Sequence, residues 1–321
     1  MLYNFLQIPA RIAFYIWCRN LKNNNKEILK TNGPLLIAAN HPNSFLDAIL
    51  LCSIFKQPIY SLARGDAFKN NFVNKILRSL KMFPVYRVSE GVENLEENYK
   101  TFDDCINIFK QNKIVLIFSE GKCVNEWSLR PLKKGTARLA ISAWQQGIPL
   151  QVIPLGINYN SFTSFGKNIQ LNFGDVITEQ NIGFNNDDSF GNKTVSFNKN
   201  LLEQLGKLVV QIKPKDEKVI KDNFEIKINS LLKILLFIPA CVGYILHAPL
   251  YIPIQKFAFN KFSKIDHYDS VVVTLLLLLY PLYLILIASL FYAFVSAQLW
   301  PVIFILFPFC GWCYVQIKKQ F

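Results

Sequence analysis

Histidine is scarce in this chain, and its scarcity narrows the search for a catalytic base. Only three histidines occur among the 321 residues. His247 and His267 lie in or beside an apolar C-terminal region, whereas His41 does not. Histidine is the side chain whose ordinary pKa best suits proton transfer near neutral pH. His41 is therefore the candidate base of the soluble part of the protein.

Acidic residues are also few, with 22 Asp and Glu against 35 Lys and Arg, so the formal net charge is +13. A basic balance beside apolar runs indicates an anionic membrane surface or a phosphorylated substrate. No nucleic-acid partner is expected, because no binding motif or basic tail for one is present. The seven cysteines show no disulfide framework, which favours a reducing compartment.

Charge is absent from two long C-terminal stretches, residues 234–255 and 271–317. About 20 apolar residues cross a bilayer, so the second stretch is long enough for two spans, with a turn near Ser296–Pro301. If the second stretch forms a hairpin, both of its lysine-rich flanks lie on the cytoplasmic side, which satisfies the positive-inside rule. The first stretch, interrupted by three prolines, would then enter the membrane and return on the same side. Three full spans are the alternative. We expect an integral membrane protein with its catalytic domain on the cytoplasmic face.

The first 20 residues lack the basic start and clean apolar centre of a signal peptide. Aromatic side chains mixed with Arg11 and Arg19 suit a helix in the membrane interface. A helix packed on the following domain is the alternative. The predicted units are an N-terminal interfacial helix (residues 1–32), a soluble domain (residues 33–226) and a C-terminal transmembrane region (residues 227–321).

Apolar runs of strand length alternate with helical segments from residue 33 to about 175. Strands are predicted at Pro34–Ala39, Pro58–Leu62, Lys113–Phe118, Leu150–Ile157 and Ile169–Phe173, with a shorter one at Met82–Arg87. Helices are predicted near 44–55, 67–81, 92–111 and 134–147. This alternation predicts an α/β fold, a mostly parallel sheet flanked by helices, followed by the C-terminal helical membrane region.

The most informative segment is Asn40-His41-Pro42-Asn43-Ser44-Phe45-Leu46-Asp47, between a predicted strand and a predicted helix. Asp47 can accept the imidazole N–H of His41 and fix its tautomer, while the other ring nitrogen takes a proton from a hydroxyl. No serine or cysteine nucleophile is needed if that hydroxyl attacks a thioester directly. The alternative is purely structural, because the same residues also make a good helix-capping turn.

Two arginines end predicted strands. Arg64 precedes Gly65 at the start of a helical segment, where its side chain can reach an anion. Arg87 ends the short apolar strand that begins at Met82. For each arginine the alternative is a surface salt bridge.

A cation-rich loop follows Glu120 and Gly121. Gly121 allows close backbone approach and the cations supply charge-assisted hydrogen bonds, so the loop is a candidate phosphate cradle. Backbone amides beside it are candidate oxyanion donors. A solvated helix face is the alternative for some of its cations. Pro154 lies in an apolar strand that is either ordinary core or the wall of an acyl channel.

Taken in order, these blocks resemble the glycerophosphate acyltransferase family, which includes the lysophosphatidate acyltransferases. The resemblance covers roughly residues 35–160. It implies that His41 is the general base and Asp47 its orienting carboxylate. Acyl-CoA or acyl carrier protein would be the acyl donor, and no cofactor or metal is implied. Membrane lipids are the other implied partner.

The resemblance also implies roles for the remaining blocks. Arg87 and the Glu120–Gly121 loop would hold the acceptor's phosphate, and Pro154 would line the acyl-donor side. The block around Arg64 completes the match. The family usually has Thr-Arg after Glu-Gly, whereas this chain has Lys-Cys, so the phosphate contact would pass to another cation or the acceptor would not be a simple glycerol phosphate. The candidate replacements are Lys122, Arg130 and Lys133.

A second departure concerns spacing. Five residues (42–46) separate His41 from Asp47, where the family usually has four. The extra residue can be absorbed in the turn before the helix, so that Asp47 still faces His41. A similar longer spacing and a long apolar C-terminus are typical of the fungal-type glycerol-3-phosphate and dihydroxyacetone-phosphate acyltransferases, and this chain is nearest to that branch.

The expected function is acyl transfer to the hydroxyl of glycerol-3-phosphate or 1-acylglycerol-3-phosphate in phospholipid synthesis. The alternatives are acylation of another lysolipid, such as a lyso-ornithine lipid, and carrier-independent exchange between phospholipids. A non-catalytic, lipid-binding membrane protein is the alternative from another class. The His–Asp pair and the basic loop weigh against it, and uncharged membrane segments offer no ion path.

Overall fold

The computed structural model describes residues 2–86, 97–184, 187–213, 216–262, 265–295 and 298–321. Its strands are β1 (Cys18–Asn23), β2 (Leu35–Ala39), β3 (Ile59–Arg64), β4 (Met82–Val85), β5 (Ile114–Phe118), β6 (Gln151–Tyr159) and β7 (Lys167–Phe173). Its helices are α1 (Leu2–Trp17), α2 (Phe45–Ile54), α3 (Asn71–Ser79), α4 (Glu97–Lys110), α5 (Gly135–Gln145), α6 (Glu179–Ile182), α7 (Phe190–Leu208), α8 (Glu217–Phe224), α9 (Ser230–Phe262), α10 (Tyr268–Phe294) and α11 (Ile303–Ile317).

The strands form one sheet in the order β1-β7-β6-β2-β5-β3-β4. Every neighbouring pair is parallel except β6 and β7. The central strand β2 is buried along its whole length, as its uninterrupted apolar sequence requires of a strand covered on both faces. The predicted α/β fold with a mostly parallel sheet is confirmed. The predicted helix over 92–111 begins partly outside the described residues.

The sheet contains one strand that the sequence pattern did not predict. Residues Cys18–Asn23 pair in parallel with β7, although they fall inside the segment 1–32 assigned to an N-terminal helix. The sequence Cys-Arg-Asn-Leu-Lys-Asn lacks an apolar alternation, so its strand conformation depends on pairing with β7. The division of the chain at residue 33 stays a prediction, but the sheet itself begins at Cys18.

Helices cover both faces of the sheet, and side chains of β2 alternate between them. Ile37 points to the core beneath α2, and Leu36 points to the core beneath α4, α5 and α7. This alternation is the ordinary period of a strand. It determines which strand residues share a face with the helix that begins after His41.

Helix α1 packs on the domain and also exposes an apolar face. Gln7 donates to the backbone carbonyls of Cys52 and Phe55 at 2.9 Å, and Arg11 donates to that of Ser53 at 2.7 Å. These bonds satisfy the carbonyls left unpaired at the end of α2. The exposed apolar side chains of the helix are Phe5, Ile8, Ile12 and Tyr15. Packing on the domain is therefore observed, and contact of this outer face with a membrane surface stays a prediction.

Three C-terminal helices are long and apolar enough to cross a membrane, with spans at Ser230–Phe262, Tyr268–Phe294 and Trp300–Ile317. They indicate a membrane-associated protein. Helix α9 runs without interruption for 33 residues through its three prolines. The predicted turn near Ser296–Pro301 includes residues 296–297, which lie outside the described residues.

Both flanks of α9 contact the same domain. Before the helix, the backbone of Ile226 exchanges two hydrogen bonds with the side chain of Gln320, which also accepts from Asn168 of β7 at 2.8 Å. After it, Asp266 accepts a hydrogen bond from the backbone N–H of Asn125 at 2.9 Å. Helix α10 begins and α11 ends beside that domain as well. This arrangement favours the hairpin with a first segment that does not cross, and the membrane topology stays a prediction.

Arg19 attaches the end of α11 to β1. Its guanidinium donates to the backbone carbonyls of Val315, Gln316 and Lys318 at 2.8, 3.1 and 2.7 Å. Burial lowers the pKa of Arg19 to about 10. The charge lies at the negative end of the helix dipole, where a cation is stabilising.

We expect Arg19→Ala to destabilise the protein by roughly 1.5–3 kcal/mol, the range for losing a hydrogen bond to a charged group, since water can reach some of the freed carbonyls. The thermal-unfolding midpoint in detergent measures this loss. Arg78→Ala is the matched control, because Arg78 is exposed and bonds only its helix neighbour Asn74 among side-chain acceptors of the described residues. Equal midpoints for the two variants would contradict the capping role.

Candidate active site

The candidate residues gather at the carboxyl edge of the parallel strands. His41 follows β2, Glu120 follows β5, Arg64 ends β3 and Tyr159 ends β6. Because parallel strands end at the same edge of a sheet, side chains from distant parts of the chain meet there. This edge is where open α/β sheets generally bind ligands.

His41 and Asp47 form a hydrogen-bonded pair. The Nδ1 atom of His41 lies 2.9 Å from Oδ2 of Asp47, whose side chain is fully buried. The same Oδ2 accepts the backbone N–H of Asn43 at 2.9 Å, and Oδ1 accepts the hydroxyl of Tyr159 at 2.7 Å. An ionised carboxylate can only accept hydrogen bonds, so the proton between Asp47 and His41 belongs to Nδ1 of His41. The lone pair of the imidazole is then on Nε2.

The ring of His41 is held from a second side by Phe118. The two rings stack with their centroids 3.8 Å apart and an interplanar angle of 10°. The His41 side chain keeps 16% of its surface exposed. Within the part of the chain that the structure describes, no hydrogen-bond partner of Nε2 is found. The arrangement presents a fixed imidazole whose basic nitrogen is open to a substrate hydroxyl.

The longer spacing between His41 and Asp47 is absorbed before α2 begins. Ser44, the residue before the helix, has φ 52° and ψ −147°, a conformation that non-glycine residues rarely adopt. Asp47 then falls in the first turn of α2 with its carboxylate toward His41. The five-residue spacing is therefore compatible with the same pair geometry.

Tyr159 was not predicted as a site residue. It lies beyond the predicted strand end at Ile157, and its partner Asp47 is 112 positions away in sequence. Burial raises the pKa of Tyr159 well above its ordinary value, and the Asp47 carboxylate raises it further. The phenol therefore stays protonated and acts as a permanent donor to Asp47.

We expect Tyr159→Phe to lower acyl transfer about 10- to 100-fold, the kinetic equivalent of one hydrogen bond to a charged group. The phenylalanine ring still fills the space of the tyrosine ring in the core, so the loss of activity measures the contribution of the Tyr159 hydroxyl. Measuring kcat and KM separately tests this, because a positioning role lowers kcat with little change in KM. Phe162→Leu, a change in the neighbouring ring without a polar group, is the packing control. Wild-type kcat in Tyr159→Phe would contradict the role.

Glu120 connects two loops of the site. Its Oε2 accepts the backbone N–H of His41 at 3.2 Å, and its Oε1 accepts that of Arg130 at 3.0 Å. Burial raises the pKa of Glu120, and the two backbone donors lower it in part. Both oxygens are thus used within the protein, so Glu120 positions the His41 loop. Gly121 has φ +67°, and a Cβ there would come within 2.8 Å of the Lys133 side chain.

The predicted phosphate ligands differ in their surroundings. Lys122 and Lys133 are exposed beside the Glu120–Gly121 loop. Arg130 forms an ion pair with Glu126 at 3.2 Å. Their roles toward a phosphate stay predictions.

Arg64 lies at the carboxyl edge of β3 and forms an ion pair with Asp66 through two N–H groups, so the surface salt bridge that was its alternative interpretation is present. Arg87 lies outside the described residues. Pro154 alternates with Ile153 and Leu155, which face α2, so its side chain points to the opposite face of the sheet. A Cβ on Gly174 there would lie 3.4 Å from Pro154. The structure thus brings Arg64 to the edge that holds His41, and places the Pro154 side chain on the other face.

The first turn of α10 packs against the loop between His41 and Asp47. Ser44 Oγ lies 2.6 Å from Nδ1 of His267, and Asn43 donates to Asp269 at 2.9 Å. Ser270 accepts the backbone N–H at position 46 and donates to the Asn43 carbonyl, each at 3.3 Å. Sequence analysis missed these contacts because the partners are more than 200 positions apart. The C-terminal region therefore helps to form the candidate site.

His267 shares the electrostatic environment of the site. Burial lowers the pKa of His267, and the charge of Arg64 lowers it further. Asp266 raises the pKa in opposition, and His41 adds a smaller decrease. Arg64, His41 and His267 are therefore close enough to influence one another. Because the lowered pKa favours the neutral form of His267, the cationic side chain at this edge is that of Arg64 on β3.

Cys123 lies in the same loop cluster without being an activated nucleophile. Its Sγ accepts the backbone N–H of Ser44 at 2.8 Å. Burial, and then the Asp47 charge, raise the pKa of the Cys123 thiol far above its ordinary value. A thiol of this kind is inert. Among the described residues no group of three or more His, Cys, Asp and Glu side chains is arranged to hold a metal, and independence from metal stays a prediction.

The Acyltransferase family model matches residues 20–158. This match supports the acyltransferase superfamily. The matched residues run from β1 through nearly all of β6 and include the His41–Asp47 pair. No curated protein matches the chain. A similar solved structure is the 1-acyl-sn-glycerophosphate (LPA) acyltransferase PlsC from Thermotoga maritima, with 17% identity, 61% of this chain and 73% of that chain covered, and a TM-score of 0.43.

Proposed function

We propose that the protein is a membrane-bound O-acyltransferase that moves a fatty acyl group from acyl-CoA or acyl carrier protein to a glycerol-phosphate acceptor. The acceptor is glycerol-3-phosphate or 1-acylglycerol-3-phosphate, which places the reaction in phospholipid synthesis. The observation behind the proposal is the His41–Asp47 pair with Nε2 open, inside the region that matches the acyltransferase model. The domain faces the cytoplasm, where both donors occur.

The reaction is a direct transfer. Nε2 of His41 takes the proton of the acceptor hydroxyl as its oxygen attacks the thioester carbonyl. The tetrahedral oxyanion collapses, the C–S bond breaks, and the thiolate leaves with the proton from His41. Asp47 stabilises the imidazolium that forms between these steps. No covalent enzyme intermediate is required, which agrees with the inert thiol of Cys123.

Two backbone amides beside the Glu120–Gly121 loop, which was expected to supply oxyanion donors, are already used within the protein. The backbone N–H of Ser119 already donates to Ala39 at 2.8 Å, and that of Gly121 donates to Phe118 at 3.0 Å. Neither is open to a substrate oxygen in this structure. Positive charge for the acceptor's phosphate would come from the exposed Lys122 and Lys133.

Acylation of another lysolipid is the second candidate. Arg64 and Arg130 each form an ion pair with a neighbouring carboxylate, so a phosphate must compete for them. An acceptor with less headgroup charge would bind without displacing these carboxylates from the two arginines. The nearness to the fungal-type branch rests on spacing and on the apolar C-terminus, and it stays part of the proposal.

An acceptor panel tests the proposal. Membranes that contain the full chain receive labelled acyl-CoA or acyl carrier protein with glycerol-3-phosphate, lysophosphatidate, lyso-ornithine lipid or other lysolipids. We expect label in a phosphate-bearing glycerol acceptor, and none with the His41→Ala chain. Label only in another lysolipid favours the second candidate. No transfer to any acceptor would overturn both.

A further inference from the structure

A cavity of about 770 Å³ lies between the C-terminal helices and the domain that holds His41. Its walls come from α1, α9, α10, α11 and residues 163–165. Ile49 of α2, two residues after Asp47, also lines it. Most of the lining side chains are aliphatic or aromatic. The reaction proposed above uses none of this space.

The walls are fixed by close helix contacts. Gly243 of α9 lies against the backbone of Cys310 in α11, where a Cβ would not fit, and a Cβ on Gly311 would lie 3.1 Å from His247. His247 Nε2 bonds the hydroxyl of Tyr280 in α10 at 2.9 Å. These contacts hold α9, α10 and α11 together around the cavity. Ligand sites of this size are usually preformed in this way.

Two polar side chains of the lining, His247 and Lys318, already have partners. Nδ1 of His247 lies 2.7 Å from the Gly243 carbonyl, so both of its ring nitrogens are bonded. The ammonium of Lys318 donates to the Phe165 carbonyl at 2.6 Å, and burial, followed by repulsion from Arg19, lowers its pKa to about 8. A cavity with apolar walls and bonded polar groups does not retain ordered water well. Its favoured occupant is a hydrocarbon.

The surroundings indicate where that hydrocarbon comes from. The faces of α9 and α10 turned away from the cavity expose apolar side chains, so lipid surrounds these helices if they enter a bilayer. The exposed apolar side chains include Ile234, Phe237, Ile245, Leu282 and Leu286. The ammonium of Lys318 is the charged group of the lining and is already bonded to the Phe165 carbonyl, whereas an alkyl chain would remove apolar surface from water along its whole length.

We propose that this cavity binds the fatty-acyl chain of a membrane-resident lipid or acyl thioester. The site goes beyond the acyl-transfer reaction, since chain binding does not require catalysis. The class of ligand is a long alkyl chain. A bilayer diacyl lipid, a lysolipid and an acyl-CoA are the possible sources, because each of them carries such a chain.

Photo-crosslinking tests the site in the full chain, embedded in phosphatidylcholine vesicles. Three probes with a diazirine in the acyl chain are used separately: phosphatidylcholine, lysophosphatidate and acyl-CoA. We expect label on peptides that contain Phe165 or Tyr251, two lining residues from different walls. The probe that labels them identifies the source. Ala248→Phe in α9 and Ala13→Phe in α1 place a ring in the cavity, and each is expected to remove most of this label.

Ala293→Phe is the matched control, because Ala293 is exposed on α10 and does not line the cavity. It is expected to label like the wild type. Label confined to lipid-exposed residues with all three probes overturns the proposal, as does cavity label that both lining variants leave unchanged. Acyl transfer without cavity label would leave the proposed function standing and remove this site. Cavity label without acyl transfer would leave this site standing and remove the proposed function.

Discussion

Replacement of His41 with alanine is expected to lower kcat/KM for acyl transfer by about 10²–10⁴-fold, the usual contribution of a positioned general base. The pair geometry is the reason. Asp47 holds Nδ1 at 2.9 Å, the stacked Phe118 ring holds the plane of the imidazole, and Nε2 remains for the substrate. Initial rates with purified membranes and the acceptor found in the panel measure the effect.

His267→Ala is the matched control for this loss. His267 lies beside the same loop, but its Nδ1 bonds Ser44 rather than the Asp47 carboxylate. We expect a smaller loss of rate there. In His41→Ala the free energy of unfolding should fall by no more than about 1.5–3 kcal/mol, because Asp47 keeps its hydrogen bonds from Asn43 and Tyr159. A His41→Ala enzyme with wild-type kcat/KM would remove His41 from the mechanism, and a matching collapse of stability would make its role structural.

Lys167→Met is expected to destabilise the protein by about 3–5 kcal/mol, the usual cost of leaving one partner of a buried ion pair without its counter-charge. Lys167 is completely buried in β7, and its ammonium lies 2.6 Å from Asp269 at the start of α10. Burial lowers the pKa of Lys167, and the Asp269 carboxylate raises it in opposition. The thermal-unfolding midpoint in detergent measures the change.

Activity should fall together with stability in Lys167→Met. Asp269 also accepts from the Asn43 side chain, and the Asn43 backbone N–H donates to Asp47. A shift of Asp269 therefore reaches the Asp47 carboxylate through one residue. The double variant Lys167→Met/Asp269→Asn removes the stranded charge, so it should recover part of the lost stability.

Lys30→Met provides the surface comparison for the buried pair. Lys30 pairs with Glu27 at 3.0 Å on an exposed 3₁₀ helix, and such pairs contribute about 0–1 kcal/mol. If Lys167→Met costs no more than Lys30→Met, the buried pair does not hold α10 on the domain. A double variant less stable than Lys167→Met alone would lead to the same conclusion.

Local sequence determined much of this fold. The apolar run Leu35–Ala39 predicted a strand, which the structure buries along its whole length, and the alternation of such runs with helical segments predicted a mostly parallel sheet. Burial of a strand depends mainly on its own apolar residues, so a window of a few positions contains the information. The pairing of His41 with Asp47 was predictable for the same reason, because both flank one strand-to-helix turn.

Long-range contacts were decided only by the tertiary structure. The strand conformation of Cys18–Asn23 depends on pairing with β7, about 150 positions later. Tyr159 of β6 and Asp269 of α10 contact the segment between His41 and Asp47 from distant parts of the chain. The chain by itself determined which residues are apolar, charged or able to transfer a proton. Which of them meet depended on strand order and on the docking of the C-terminal helices, because a hydrogen-bond partner is selected by position in space and leaves no periodic mark in the sequence.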